Sequence, residues 1–145
     1  MKKPGRPAGA YAGFMAISIK HVPLPVLDIE AALSFYRDGL GLEVLLDVPN
    51  GEMRWVTLGA DGQTALVLST PGSGRGEAEA RELAGLIAKG SLGPYVFAAD
   101  DLQAVFDKLA AAGFEALQEP ADQPWGPRDC AFRDPSGNLV RINQA

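Results

Sequence analysis

A chain of 145 residues is long enough for one domain, or for two small modules around a shared core, and its 47% apolar content is enough to fill one. A net charge of −5 without clustered Lys and Arg argues against nucleic acid as a partner. The lone Cys130 allows no internal disulfide and points to the cytoplasm, and no stretch approaches the roughly 20 apolar residues that cross a bilayer.

Residues 1–14 form a Gly, Pro and Ala-rich lead that is expected to be disordered. Lys2, Lys3 and Arg6 ahead of an apolar run weakly resemble a signal peptide, but cleavage there would delete the first strand, predicted over residues 15–26. Asp28 is a good N-cap. Ile29, Ala32, Leu33 and Tyr36 follow at helical spacing, and Gly39 and Gly41 end the helix. Residues 42–48 alternate, with Leu42, Val44, Leu46 and Val48 on one face and Glu43, Leu45 and Asp47 on the other. Asn50-Gly51 predicts a hairpin turn, 53–58 a strand, Asp61-Gly62 a second turn and 64–69 a further strand. A Gly, Ser and Pro loop over 71–76 leads into a helix over 77–89, with Leu83, Leu86 and Ile87 as its apolar stripe. The loop lacks the Lys-Ser/Thr ending of a phosphate-binding loop, so it reads as a flexible connection or a lid.

The second half repeats this order. A strand over 95–99 precedes Asp101, which caps a helix bearing Leu102, Val105, Phe106 and Leu109 and closed by Gly113. Strands are expected over 114–117, 128–132 and 138–142, with a turn at Asp134-Pro135-Ser136-Gly137. The three prolines within 119–127 predict an irregular loop. Two βαβββ modules result, over 15–70 and 92–145, joined by a linker with a helix over 71–91. The fold class is α+β, with the modules forming a curved mixed sheet around a shared cleft.

The run Val26-x-Asp28-x-x-x-Ala32-x-x-Phe35-Tyr36-x-x-x-Leu40-Gly41 resembles the opening module of the vicinal oxygen chelate superfamily. That group includes glyoxalase I, the bleomycin resistance proteins and extradiol dioxygenases. Pro124-Trp125-Gly126-x-Arg128-Asp129 and Arg133-Asp134-Pro135-x-Gly137-Asn138 resemble its closing module. The resemblance spans residues 17–142 and implies a homodimer. It also implies metal ligands on the first and last strand of each module. Carried over residue by residue, those positions hold His21, Val67, Pro94 and Arg141. Only His21 can ligate, and a guanidinium repels a dication by more than the ~4 kcal/mol that two unit charges feel at 4 Å and a dielectric of 20. No metal of the family type and no other cofactor are therefore expected.

Trp55 and Thr57 alternate out of phase with Val56 and Leu58, so they face the cleft if the latter pack on the helices. Trp125 and Arg128 lie in or beside the Pro-rich loop, at the expected mouth of the cleft. His21 is either a structural strand residue or a hydrogen-bonding or acid–base group; Arg141 is either a surface residue or an anchor for a carboxylate or phosphate. Glu43, Asp47 and Glu52 are candidate cleft carboxylates, and Cys130 is expected to pack beside Phe132. The set His21, Trp55, Thr57, Trp125, Arg128 and Arg141 suits a small molecule sequestered without a metal. A lyase, isomerase or dioxygenase with an unfamiliar metal arrangement is the alternative, as is metal-independent chemistry by His21 with Arg141. A third reading is an accessory module that acts through its interface.

Overall fold

The structure, a computed structural model, describes residues 16–51, 53–60 and 62–145. The expectations for the lead and for Glu52 fall outside the described residues. In chain order the elements are β1 (His21–Pro25), α1 (Ile29–Leu33), β2 (Glu43–Asn50), β3 (Met53–Gly59), β4 (Ala65–Ser69), α2 (Glu77–Ala88), β5 (Tyr95–Ala99), α3 (Leu102–Ala111), β6 (Ala116–Asp122), β7 (Arg128–Arg133) and β8 (Leu139–Gln144). A π-helical stretch over Ser34–Gly39 continues α1. The strands make two four-stranded mixed sheets, ordered β1-β4-β3-β2 and β5-β8-β7-β6. In each, the first strand runs parallel to the last and the others are antiparallel. The fold is thus α+β, with two βαβββ modules of identical topology.

The repeated Asp sets the start of each helix. Asp28 accepts from the Ala31 backbone N–H at 2.9 Å and Asp101 from that of Ala104 at 3.1 Å, so both satisfy donors the helix leaves unpaired. The helix-side faces of both sheets then pack into one core. Leu24, Val26, Phe35, Tyr36, Val56 and Leu58 join Leu102, Leu109, Phe132, Val140 and Ile142 there. Phe35 meets Phe114 edge to face at 5.0 Å, and Tyr36 lies 6.1 Å from Phe97. Gly39 leaves room for Leu109: a Cβ there would sit 2.7 Å from its Cδ2.

A polar latch joins the modules across this core. The Tyr36 hydroxyl donates to Asp134 Oδ2 at 2.6 Å. Asp134 Oδ1 accepts the backbone N–H groups of Ser136, Gly137 and Asn138, each at 2.9 Å. Asn138 Nδ2 donates to Asp134 Oδ2 and to the Pro25 carbonyl, and Ser136 Oγ accepts from the Leu27 N–H. The helix-bearing faces therefore meet, and the opposite sheet faces turn outward as two shallow cups. In β5, Tyr95, Phe97 and Ala99 pack inward while Val96 is exposed.

Three elements differ from expectation. The first strand begins at His21, because β4 begins only at Ala65; Ile17 and Ile19 stay exposed. The strict alternation of β2 is broken by a register shift between Val44 and Leu46. Val44 lies opposite core-facing Leu58, whereas Leu46 and Val48 lie opposite Thr57 and Trp55 on the cup side. The Pro-rich stretch is strand as far as Asp122: β6 is an edge strand, where Pro120 loses no ladder bond, and its register shifts between Gln118 and Ala121.

Candidate functional site

The first cup is built from alternate residues of its strands. Val67 of β4 pairs with Pro23 of β1 and with Thr57 of β3, which puts all three on one face. His21 and Trp55 flank them, their rings edge to face with centroids 6.0 Å apart. Val56 and Leu58 are fully buried on the other face, so the phase read from the sequence holds. A cavity of about 350 Å³ opens here, lined by His21, Pro23, Trp55, Val67, Ser69, Ser73 and Arg75. Ser73 and Arg75 come from the loop ahead of α2, which reaches over the cup. Arg75 Nη1 lies 3.4 Å from the carbonyls of Pro71 and Ser73, which hold the loop only weakly.

The second cup has different chemistry. Arg141 Nη1 donates to Asp129 Oδ2 at 2.8 Å, and Asp129 Oδ1 accepts from Gln118 and Gln123 at 3.1 and 2.8 Å. Gln118 Oε1 in turn accepts from Gln123 and from Arg141. Asp129 is buried, which by itself disfavours its charge, yet the hydrogen bonds from Gln123, Gln118 and Arg141 outweigh that and hold its carboxyl below the usual carboxylate range. Arg141 is half-buried and tied to a carboxylate, not a free surface cation.

Of the residues singled out from the sequence, His21 and Trp55 come together in the cavity. Thr57 shares their face and stands opposite Val67, but does not line the cavity. Arg141 sits in the second cup, Arg128 at its edge, 3.6 Å from Asp122, and Trp125 on the preceding loop with 72% of its surface exposed. The cavity beside Trp55 is not lined by Trp125, Arg128 or Arg141. Asp47 lies opposite core-side Val56 and is committed to Arg54, which also binds Glu30 of α1, so its carboxylate is turned away from the cup. Cys130 packs in the core, and burial pushes its thiol up to about 11. Arg75 and Ser73 went unread because nothing local fixes the path of a Gly-rich loop, and Ser69 because it is the last residue of β4, two on from Val67 on the same face. The Asp129 partnership went unread because it runs diagonally between strands.

The model of the Glyoxalase/Bleomycin resistance protein/Dioxygenase superfamily matches residues 18–142. The chain belongs to this superfamily. Among proteins of known structure, UcmS2 is 36% identical, with 89% of this chain and 98% of that chain covered and a TM-score of 0.78. TnmS3, described as an antibiotic binding protein from Streptomyces sp. CB03234, is 31% identical, with coverage of 90% and 98% and a TM-score of 0.70. A probable lactoylglutathione lyase of Vibrio parahaemolyticus is 28% identical over 131 residues, covering 87% of this chain and 89% of the relative.

Divalent metal is common in superfamily enzymes, but the donor set here does not fit one. At the matched positions His21 stands against Trp55 and Val67, Pro94 offers no side-chain donor, and Arg141 brings a cation already paired with Asp129. Among the described residues no three His, Cys, Asp or Glu side chains gather as metal ligands would. No helix of the described residues is long and apolar enough to cross a membrane.

Proposed function

We propose that this protein binds a flat, aromatic-bearing small molecule in the first cup and holds it by sequestration, without a catalytic metal. The observation that carries the reading is the cavity beside the edge-to-face His21–Trp55 pair, with apolar walls at Pro23 and Val67, hydroxyls at Ser69 and Ser73, and no converging ligand set. Kinship with an antibiotic-binding structure at 31% identity supports it. A homodimer completes the site in this reading. The cavity takes no residue from the second module, and Leu45, Leu46 and Val48 leave an apolar edge strand exposed beside it. We place the protein in the cytoplasm, where its buried thiol at Cys130 stays reduced.

Tryptophan fluorescence tests the reading. In a Trp125→Phe background, titration with 2-naphthamide quenches the remaining Trp55 saturably, and His21→Ala weakens that binding about tenfold. Metal analysis of protein purified without chelator finds substoichiometric nickel, zinc, iron and manganese. Stoichiometric metal lost on His21→Ala, together with turnover of a glutathione hemithioacetal, would replace this reading with the lyase chemistry for which the Vibrio relative is named.

A further inference from the structure

We infer that Arg75 sets the charge preference of the first cup, so that it selects an anionic planar aromatic, such as an aryl carboxylate or a phenolate, over a neutral or cationic one. The inference rests on the binding reading above and names the ligand class for that same cavity. Among the described residues lining the cavity, Arg75 is the one permanent charge and no carboxylate is present. His21 can bring no negative charge. The sign of this cup is therefore opposite to the net −5 of the whole chain, and at these distances local charge outweighs remote charge that salt screens.

Arg75 is also available. It makes two contacts of 3.4 Å from Nη1 to carbonyls of its own loop, and Nε and Nη2 make none among the described residues. Nor does it take part in an ion pair among them, unlike Arg54, Arg128 and Arg141, each held by an acid. A half-buried guanidinium with unused donors, lining the same cavity as the Trp55 and His21 rings, matches a planar carboxylate whose ring lies on the aromatic wall. The second cup does not compete in sign, because Arg141 is already neutralised by Asp129.

Three probes of one shape and different charge test this: 2-naphthoate, 2-naphthamide and 2-naphthylmethylammonium, titrated against Trp55 fluorescence in the full chain carrying Trp125→Phe. The expected order is naphthoate, then naphthamide about tenfold weaker, then the cation weaker still. Arg75→Gln brings the three within about twofold of one another, and Arg75→Lys keeps the order. Equal affinities in the parent protein, a preference for the cation, or a preference that survives Arg75→Gln overturns the inference while leaving the binding reading intact. So does loss of the order in Arg75→Lys, or an equal loss for all three probes in Arg75→Gln, which would make Arg75 a brace for its loop. If none of the probes quenches Trp55 in the parent, both the binding reading and the inference fall.

Discussion

Tyr36→Phe removes one oxygen from the latch between the modules and leaves the ring where it is. Tyr36 is fully buried and its hydroxyl donates to the Asp134 carboxylate at 2.6 Å, a short bond to a buried group. Phe fills the same space, so no cavity arises beyond the hydroxyl itself. Asp134 Oδ2 keeps the Asn138 Nδ2 donor, and Oδ1 keeps its three backbone donors. The loss is therefore one hydrogen bond to a buried carboxylate, about 2 kcal/mol. For a chain of this size that lowers Tm by about 6 °C. The same bond has a pH signature. Burial, then the charge of Asp134, then the hydrogen bond to it all push the Tyr36 phenol far above its ordinary range. A raised folded-state value means that the stabilisation is complete below the unfolded value and is lost as pH rises beyond it, so the parent protein weakens above pH ~10. Tyr36→Phe should be less stable at neutral pH and lose less between pH 9.5 and 11. Urea unfolding followed by circular dichroism at several pH values measures both. A variant within 0.5 kcal/mol of the parent at pH 7, or one with the same alkaline slope, would show that the bond does not hold the modules together.

Asp129→Asn leaves Arg141 half-buried without its acid and should cost about 2 kcal/mol by denaturant titration. Because the Asp129 carboxyl is held low in the fold, that increment exists above the unfolded value near pH 4 and fades as pH falls through the folded one, so parent and variant should converge in acid. Gly137→Ala places a Cβ 2.5 Å from the Ile87 carbonyl at a φ of +114°, where α2 ends against the second module. At least 2 kcal/mol should be lost, seen as a drop in Tm. Leu46→Glu puts a charge on the exposed apolar edge of β2 and should weaken the proposed dimer about a hundredfold in sedimentation equilibrium, with naphthamide binding weakened in parallel.

Where local chemistry decides an element, the sequence was enough. Strand β5 falls where its alternation and the capping Asp101 put it, and both helices begin after an Asp whose side chain accepts from the third residue on. Where pairing decides, it was not. Pro120 looks like a breaker until β6 is known to be an edge, and Ile17 looks like strand until β4 is known to start too late to pair with it. The site divides in the same way. Trp55 was placed on the cup face by its phase against the buried Val56 and Leu58, and His21 was singled out only through the resemblance; both line the cavity. The tie between Arg141 and Asp129 was not, because it depends on the register that puts Ala131 opposite Arg141 and Asp129 opposite Asn143. Arg75 lies inside the loop over 71–76, where nothing local marks it, and its place in the cavity lining is a tertiary fact.

The modules join through their helix faces, and this separates two selective pressures. Substitutions on the outward sheet faces do not disturb the packing of Phe35, Tyr36 and Phe132 that keeps the chain folded. The two halves have used that freedom in different ways: one carries rings and aliphatic carbon beneath a loop guanidinium, the other a guanidinium–carboxylate pair among amides. Ligand choice in such an architecture can drift quickly while the scaffold stays put, so kinship alone is a poor guide to cargo and the outward residues are the better one.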